Sequence, residues 1–346
     1  GVQVFFIVAA FGALIVDRDD VRARLHIALL DGRIDETDWG PRLGVRWWRF
    51  GAGVLLGMAC ATKWSGLYFV VFFGLMSVAM DVVARRQYRV PRPWLGALRR
   101  DVGPALYALV LIPFGVYLAS YSMWFASETG VDRYEVGHSI GPRAWYQPPD
   151  AIRSLWHYTA KAYDFHSGLT NSAGNHHPWE SKPWLWPMSL RPVLYAIDQQ
   201  NVAGCGAQSC VKAVLLVGTP AMWWLAVPVL LYSAWRVVAR RDWRYAVVLV
   251  GYGAGWLPWF GDIDRQMYFF YAVAMAPFLV MAIALICGDI LYRPGQGPER
   301  RTLGTLAVCL YVALVITNFV WLFPVLTGMP ISQQTWNMEI WLPSWR

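Results

Sequence analysis

The chain has 346 residues, 57% of them apolar and 15% charged, with a net charge of +8 and a mean hydropathy of +0.35. A soluble domain carries about 25% charged residues, so this composition excludes an ordinary soluble fold. It also argues against nucleic acid as a partner, because the Arg residues cluster between long apolar stretches, as they do between membrane spans.

Residues 2–16 are an apolar run. No Met or signal peptide precedes it, which reads as a span in a fragment whose N-terminal part is absent. Residues 17–49 are polar, with seven Arg and seven acidic residues, and 50–82 are apolar around a central Lys63. Residues 83–100 hold six Arg, 102–125 are apolar, and 126–212 form a long polar and aromatic segment. Apolar runs follow at 213–235, 245–260, 267–291 and 303–325, and the tail 326–346 has one basic residue.

Basic residues favour cytoplasmic loops. Stretches 17–49, 83–100, 236–244 and 292–301 carry seven, six, four and three of the 30 Lys and Arg. All can be cytoplasmic only if 50–82 crosses twice. A span takes about 20 residues, so the spacing predicts a hairpin of two short helices with Lys63-Trp64-Ser65-Gly66 at its outer tip. The expectation is an all-α polytopic membrane protein with about eight crossings. Its parts are 1–125 (spans and hairpin tip), 126–212 (extracytoplasmic loop) and 213–346 (C-terminal spans and outer tail).

Within the loop, 150–165 reads as an amphipathic helix lying in the membrane interface. Ile152, Leu155, Trp156, Thr159 and Tyr163 share one face, and His157, Lys161 and Asp164 are expected on the other. Cys205 and Cys210 stand in a polar stretch with no zinc-ligand spacing, and a disulfide on an oxidising face is the simplest account. Cys60, Cys287 and Cys309 lie in apolar stretches as packing residues.

Three groups suit chemistry. Lys63 is an ammonium in an apolar stretch, which suits a lipid-linked phosphate, or else an interfacial anchor. Arg265 opens an apolar run rich in aromatics (Tyr268 to Tyr271). It suits a phosphate on an isoprenoid chain, with a local Asp264–Arg265 pair as the competing reading. His157, His166, His176 and His177, with Ser181 and the Trp179–Trp186 cluster, mix aromatic faces with polar groups as a sugar site requires. No metal spacing, phosphate-cradling Gly loop or nucleotide fingerprint is present, so neither a metal nor a cofactor is expected.

Several of these residues resemble the hallmarks of protein O-mannosyltransferases. They are Gly57-Met58-Ala59-Cys60-Ala61-Thr62-Lys63-Trp64-Ser65-Gly66, Ser154-Leu155-Trp156-His157-Tyr158, Phe165-His166, Ser181-Lys182-Pro183-Trp184, and Asp264 to Tyr271. The bacterial form is the closest, since the outer segment has no room for the β-trefoil of eukaryotic members. The resemblance implies a GT-C glycosyltransferase in the plasma membrane with its site on the extracytoplasmic face. It takes mannose from polyprenyl-phosphate-mannose to Ser or Thr of proteins, with inversion. By this reading Arg265 and Lys63 meet the donor phosphate. Trp64, His157, Tyr158, His166, Ser181, Trp184 and Tyr268 meet the sugar or acceptor.

One departure matters. The family's catalytic Asp-Glu pair lies in its first outer loop, and nothing here matches that loop. The catalytic base is therefore expected upstream of Gly1, the fragment alone is expected to be inactive, and Asp132, Glu180, Asp262 and Asp264 are not assigned to the role. The rival readings are a GT-C transferase of arabinose or aminoarabinose to a glycolipid, and a transporter. The spans hold few ionisable residues and show no internal repeat, unlike many transporters.

Overall fold

The computed structural model describes residues 1–200, 202–292, 295 and 297–346. Arg293, counted above in the basic stretch 292–301, lies outside the described residues. The chain forms two compact units, Gly1–Asn175 and His176–Arg346, so the long polar segment 126–212 is divided between them.

The first unit begins with α1 (Val2–Leu30), which runs past the apolar boundary near residue 16. Asp17, Val21, Leu25 and Ala28 keep one helical face buried, and Arg24 pairs with Asp20 one turn away at 2.7 Å. Next come α2 (Trp47–Thr62) and α3 (Gly66–Gln87), parted by Lys63-Trp64-Ser65, so the stretch around Lys63 does fold as two helices and a tight turn. Gly66 permits the turn: a Cβ there would lie 2.7 Å from the backbone nitrogen of Cys60.

α4 (Pro93–Arg100) leads into α5 (Val102–Ala119), which widens to π geometry over Tyr107–Leu111. Nearby Pro113 brings no N–H to the ladder. α2 lies almost backbone to backbone on α5. A Cβ at Gly53 would sit 1.8 Å from the Ala108 carbonyl oxygen, and one at Gly57 would sit 2.8 Å from that of Pro113. Gly53 and Gly57 are thus a small-xxx-small pair, the usual device for close helix approach in lipid. The unit ends with the helix predicted at 150–165, here α6 (Asp150–Ser167).

The two ends of this bundle differ. At one, Gln3 donates to the Lys63 carbonyl (3.0 Å) and to Ser65 Oγ (3.1 Å). At the other, Arg46 and Arg49 bridge Asp17 and Asp81, with Arg46 Nε 3.0 Å from Asp17 and Nη1 2.9 Å from both Asp81 oxygens. Beside them Arg85 grips Asp101 at 2.6 and 2.9 Å. All six of these charged side chains are buried. Gln3 and Asp17 are fourteen residues apart, or about 21 Å along a helix.

The second unit holds α7 (Pro220–Arg240), α8 (Trp243–Trp256), α9 (Ala276–Leu291) and α10 (Pro298–Thr327). Among the described residues, α3, α5, α7 and α10 are long and apolar enough to cross a bilayer, and α9 is apolar but shorter. α1, α2 and α8 occupy the remaining apolar stretches.

The unit is not all-α. β1 (Val193–Asp198), β2 (Cys210–Leu216) and β3 (Pro330–Ser332) form an antiparallel sheet in that order, with Val193 opposite Leu216 and Cys210 opposite Ser332. The apolar run 213–235 therefore starts as a strand, and its helix begins only at Pro220. Alternation decides this. Val211, Ala213, Leu215 and Val217 face a core made with Leu322 and Val325 of α10 and with Trp336, Ile340 and Trp345 of the tail. The tail is thus a packed element, containing α11 (Gln333–Glu339).

Cys205 and Cys210 are disulfide-bonded, with Cα atoms 5.8 Å apart, and the bond closes the loop that feeds β2. Mass spectrometry of protein from its native membrane, without reduction, is expected to show the linked peptide; two free thiols there would contradict the pairing.

Glu339 is 1% exposed and its Oε2 accepts no hydrogen bond. Burial pushes its carboxyl up to about 7, from 4.5. The folded state then holds a proton that the unfolded state has lost, so stability falls as pH rises from about 4.5 to 7 and levels off above. Glu339→Gln should leave the melting temperature unchanged near pH 4.5 and raise it at pH 8, by roughly 2–4 °C per kcal/mol recovered. A lower melting temperature at pH 8 would show that the charged form is stabilised.

Candidate functional site

In the first unit, Lys63 ends α2 in an extended conformation, and its carbonyl is taken by Gly66 N (2.9 Å) and Gln3. Its side chain is exposed. Trp64 Nε1 donates to Tyr117 OH at 3.0 Å, and Tyr117 OH lies 3.0 Å from Tyr121 OH. Burial, together with the hydrogen bond to Tyr117, pushes the Tyr121 phenol up, so it stays neutral.

Trp64 also lines a cavity of about 360 Å³ with Trp156, Thr159, Ala160, Tyr163 and Asp164 of α6. Only Ser154 and Leu155 of α6 are buried, while Trp156 is 76% and Tyr163 63% exposed. The aromatic stripe is therefore presented rather than consumed in the core. Asp164 is on this same wall, not opposite it as the sequence suggested. It lies two helical turns from Trp156 and one from Ala160.

His157, Tyr158 and His166, expected at the sugar, do not line this cavity. The Tyr158 ring lies 6.5 Å from that of Trp124, and His166 lies against Phe165. Asp132 accepts from Lys161 at 3.1 Å. If the hairpin tip and the outer segment share the extracytoplasmic face, single Cys at Ser65 and at Ser172, in a background without the three free thiols, should both label in intact cells with an impermeant reagent. Labelling of either site only after permeabilisation would sink that topology.

In the second unit the two other motifs are joined. Lys182 Nζ donates to the carbonyls of Ile263 (2.9 Å) and Arg265 (3.0 Å), and Ser181 N donates to that of Met267 (2.8 Å). The Ser181-Lys182-Pro183-Trp184 motif thus splints the loop carrying Arg265. Ser181, expected at the sugar, is buried, and its Oγ accepts from Trp186 Nε1 at 2.9 Å. It helps to hold the loop. Trp184 is half exposed, and the Pro183 carbonyl accepts from Trp256 Nε1 at 2.8 Å.

Arg265 is half-buried, and among the described residues its guanidinium makes no ion pair. The residues that follow it pack ring against ring. Tyr268 stacks on Phe270 at 5.3 Å and meets His177 edge-on at 5.4 Å, and Tyr271 stacks on Trp259 at 4.4 Å. Burial pushes the Tyr268 phenol up, and the nearby Tyr271 and Glu180 add to this. A guanidinium without an ion-pair partner, followed in the chain by stacked rings, suits an anion attached to an apolar tail. Among the described residues, no three His, Cys, Asp or Glu side chains converge as metal ligands do.

Sequence reasoning missed Lys182 as a splint and the Gln3 and Tyr117 contacts to the hairpin tip. Lys182 had a signal, since it lies inside a recognised motif; Gln3 and Tyr117 had none.

The profile of the C-terminal four TMM region of protein-O-mannosyltransferase matches residues 151–345. Among curated relatives, a polyprenol-phosphate-mannose–protein mannosyltransferase of Mycobacterium tuberculosis is 77% identical over 346 residues, covering 100% of this chain and 66% of its own length. The enzyme of the same name from Mycolicibacterium smegmatis is 75% identical over 343 residues, covering 99% and 66%. That of Corynebacterium glutamicum is 44% identical over 345 residues, covering 99% and 66%. The chain thus spans 66% of the length of these relatives. Among solved structures, an S. cerevisiae protein O-mannosyltransferase complex bound to the sugar donor matches with a TM-score of 0.66 at 13% identity, over 86% of this chain and 69% of that one. That likeness shows a shared fold, the GT-C type expected from the sequence. The chain belongs to the protein O-mannosyltransferase family.

Proposed function

We propose that the protein transfers mannose from polyprenyl-phosphate-mannose to Ser or Thr hydroxyls of proteins, at the extracytoplasmic face of the plasma membrane. The acceptor oxygen attacks C1 of mannose from the face opposite the phosphate, the C1–O bond to phosphate breaks, and the anomeric centre inverts. The hydroxyl proton goes to a carboxylate base, because the hydroxyl does not ionise unaided at neutral pH. Polyprenyl phosphate leaves, and no cofactor or metal is required.

The observation that carries this reading is the half-buried guanidinium of Arg265, which makes no ion pair among the described residues and is followed in the chain by the stacked rings of Tyr268 and Phe270. Phosphate gains charge as the glycosidic bond breaks, so a fixed cation there stabilises the transition state more than the ground state. The aromatic surface suits the isoprenoid tail. Lys63 is the second cation proposed for the donor phosphate. Trp64, Trp184 and Tyr268, with His157, Tyr158 and His166, remain proposed contacts to sugar or acceptor. The names of the relatives support the donor and the acceptor class.

Expression of the full-length protein in a host lacking its own protein O-mannosyltransferase tests the activity. Secreted Ser/Thr-rich proteins should gain single alkali-labile hexoses, identified as mannose by mass spectrometry and sugar analysis. Unmodified proteins, with the enzyme folded and membrane-inserted, would overturn the reading.

A further inference from the structure

The first unit carries a second polar concavity, at the end of the bundle opposite the Lys63 turn. It encloses about 300 Å³, and its walls include Arg42, Arg46, Arg49, Arg99, Arg100 and Asp101. Five Arg and one Asp line it, and the Asp101 carboxylate is already gripped by Arg85. Arg46 and Arg49 are in turn bound to Asp17 and Asp81. Among the described residues, Arg42, Arg99 and Arg100 make no ion pair, and Arg99 and Arg100 lie over the Trp39 ring at 4.1 and 5.5 Å. The concavity therefore keeps an excess of positive charge after every internal pair is counted.

Positive loops alone do not require such a pocket; the usual topological bias is met by exposed Lys and Arg. Here positive charge is built in and left over. The Nε of Arg100 is buried with no hydrogen-bond acceptor, and the guanidiniums of Arg42 and Arg99 have no carboxylate partner among the described residues, whereas Arg49 Nε lies 3.6 Å from Asp17. A buried donor without an acceptor is costly, so Arg100, together with the unmatched Arg42 and Arg99, favours an anion with several oxygens.

The surroundings fix the depth of the site. On α4, Gly96 and Ala97 pack inward, while Trp94, Leu95 and Leu98 are exposed beside Arg99 and Arg100. Trp47 and Trp48, at the start of α2, are also exposed. Exposed Trp next to Arg, on a short amphipathic helix, is what a segment at the headgroup level presents.

We infer that this arginine-lined concavity binds the phosphate headgroup of an anionic membrane lipid in the leaflet opposite the Lys63 turn. The lipid's phosphodiester takes the unmatched guanidinium donors, and its acyl chains lie along the exposed Trp94, Leu95 and Leu98 face. The inference does not depend on the function proposed above.

The test uses purified, intact protein in a neutral detergent, followed by thermal unfolding with native mass spectrometry as a second readout. The probes are dioctanoyl phosphatidylglycerol, dioctanoyl phosphatidylcholine and inorganic phosphate. Arg42→Gln/Arg100→Gln leaves the Asp17–Arg46–Arg49–Asp81 network untouched. Phosphatidylglycerol should raise the wild-type melting temperature saturably and remain bound in native spectra, and phosphatidylcholine should not. The double variant should need at least about tenfold more phosphatidylglycerol for the same shift. If the double variant does not fold, Arg42→Gln, at the exposed rim, gives the same comparison. Three results would overturn the inference: equal response of wild type and variant, equal response to phosphatidylcholine, or saturation by inorganic phosphate alone, which would make the ligand a soluble anion.

Discussion

Arg265→Ala in the full-length protein is expected to lower mannose transfer by roughly 10²–10³, the cost of removing one preorganised donor to a developing oxyanion. The loss should fall mainly on kcat, because the phosphate carries charge in the ground state and gains more as the C1–O bond breaks. Arg265→Lys should be intermediate: it keeps a cation but loses the planar fork that holds two phosphate oxygens. The fold should tolerate both changes. Lys182 holds this loop through backbone carbonyls, and the Arg265 guanidinium makes no ion pair among the described residues. Near-normal turnover by a folded Arg265→Ala protein would leave Lys63 as the leading phosphate ligand.

The largest expected effect on stability lies in the first unit. Asp81 accepts from both Arg46 and Arg49, and all three are buried. Asp81→Ala would leave two buried guanidiniums sharing Asp17 alone. Breaking a buried pair from one side costs about 3–5 kcal/mol, so the variant should melt well below wild type or fail to accumulate in membranes. A second change, Arg46→Met, should restore part of the loss, because an apolar side chain of similar length removes one uncompensated charge. An Asp81→Ala protein as stable as wild type would mean that water reaches the network.

Much of the fold was legible because lipid imposes a simple code. Apolar length and Arg position located the helices, and one Lys in an apolar stretch located the turn between α2 and α3. What stayed hidden depended on pairing across the sequence. Asp17, Arg46, Arg49 and Asp81 read as ends of polar stretches, yet they meet inside the bundle. The Gly53 and Gly57 spacing was available in the sequence and marks the α2–α5 contact. The sheet was missed because β2 is apolar enough to pass for the start of a span, and its partner β3 lies over a hundred residues away.

The site was partly legible for the same reason. Arg265 and Tyr268 stand out locally, as a cation followed by aromatics. The buried role of Ser181 depends on Trp186 and Met267, and no local pattern announces it. On α6, a small error in helical phase placed Asp164 opposite the wall it shares with Trp156 and Tyr163.

The most direct test of the central claim is transfer by the purified full-length protein from synthetic polyprenyl-phosphate sugars to a Ser/Thr peptide. Polyprenyl-phosphate-mannose should yield an inverted mannosyl peptide, with little product from polyprenyl-phosphate-arabinose. Arabinose transfer without mannose transfer would contradict the account, and so would transfer to a glycolipid rather than the peptide.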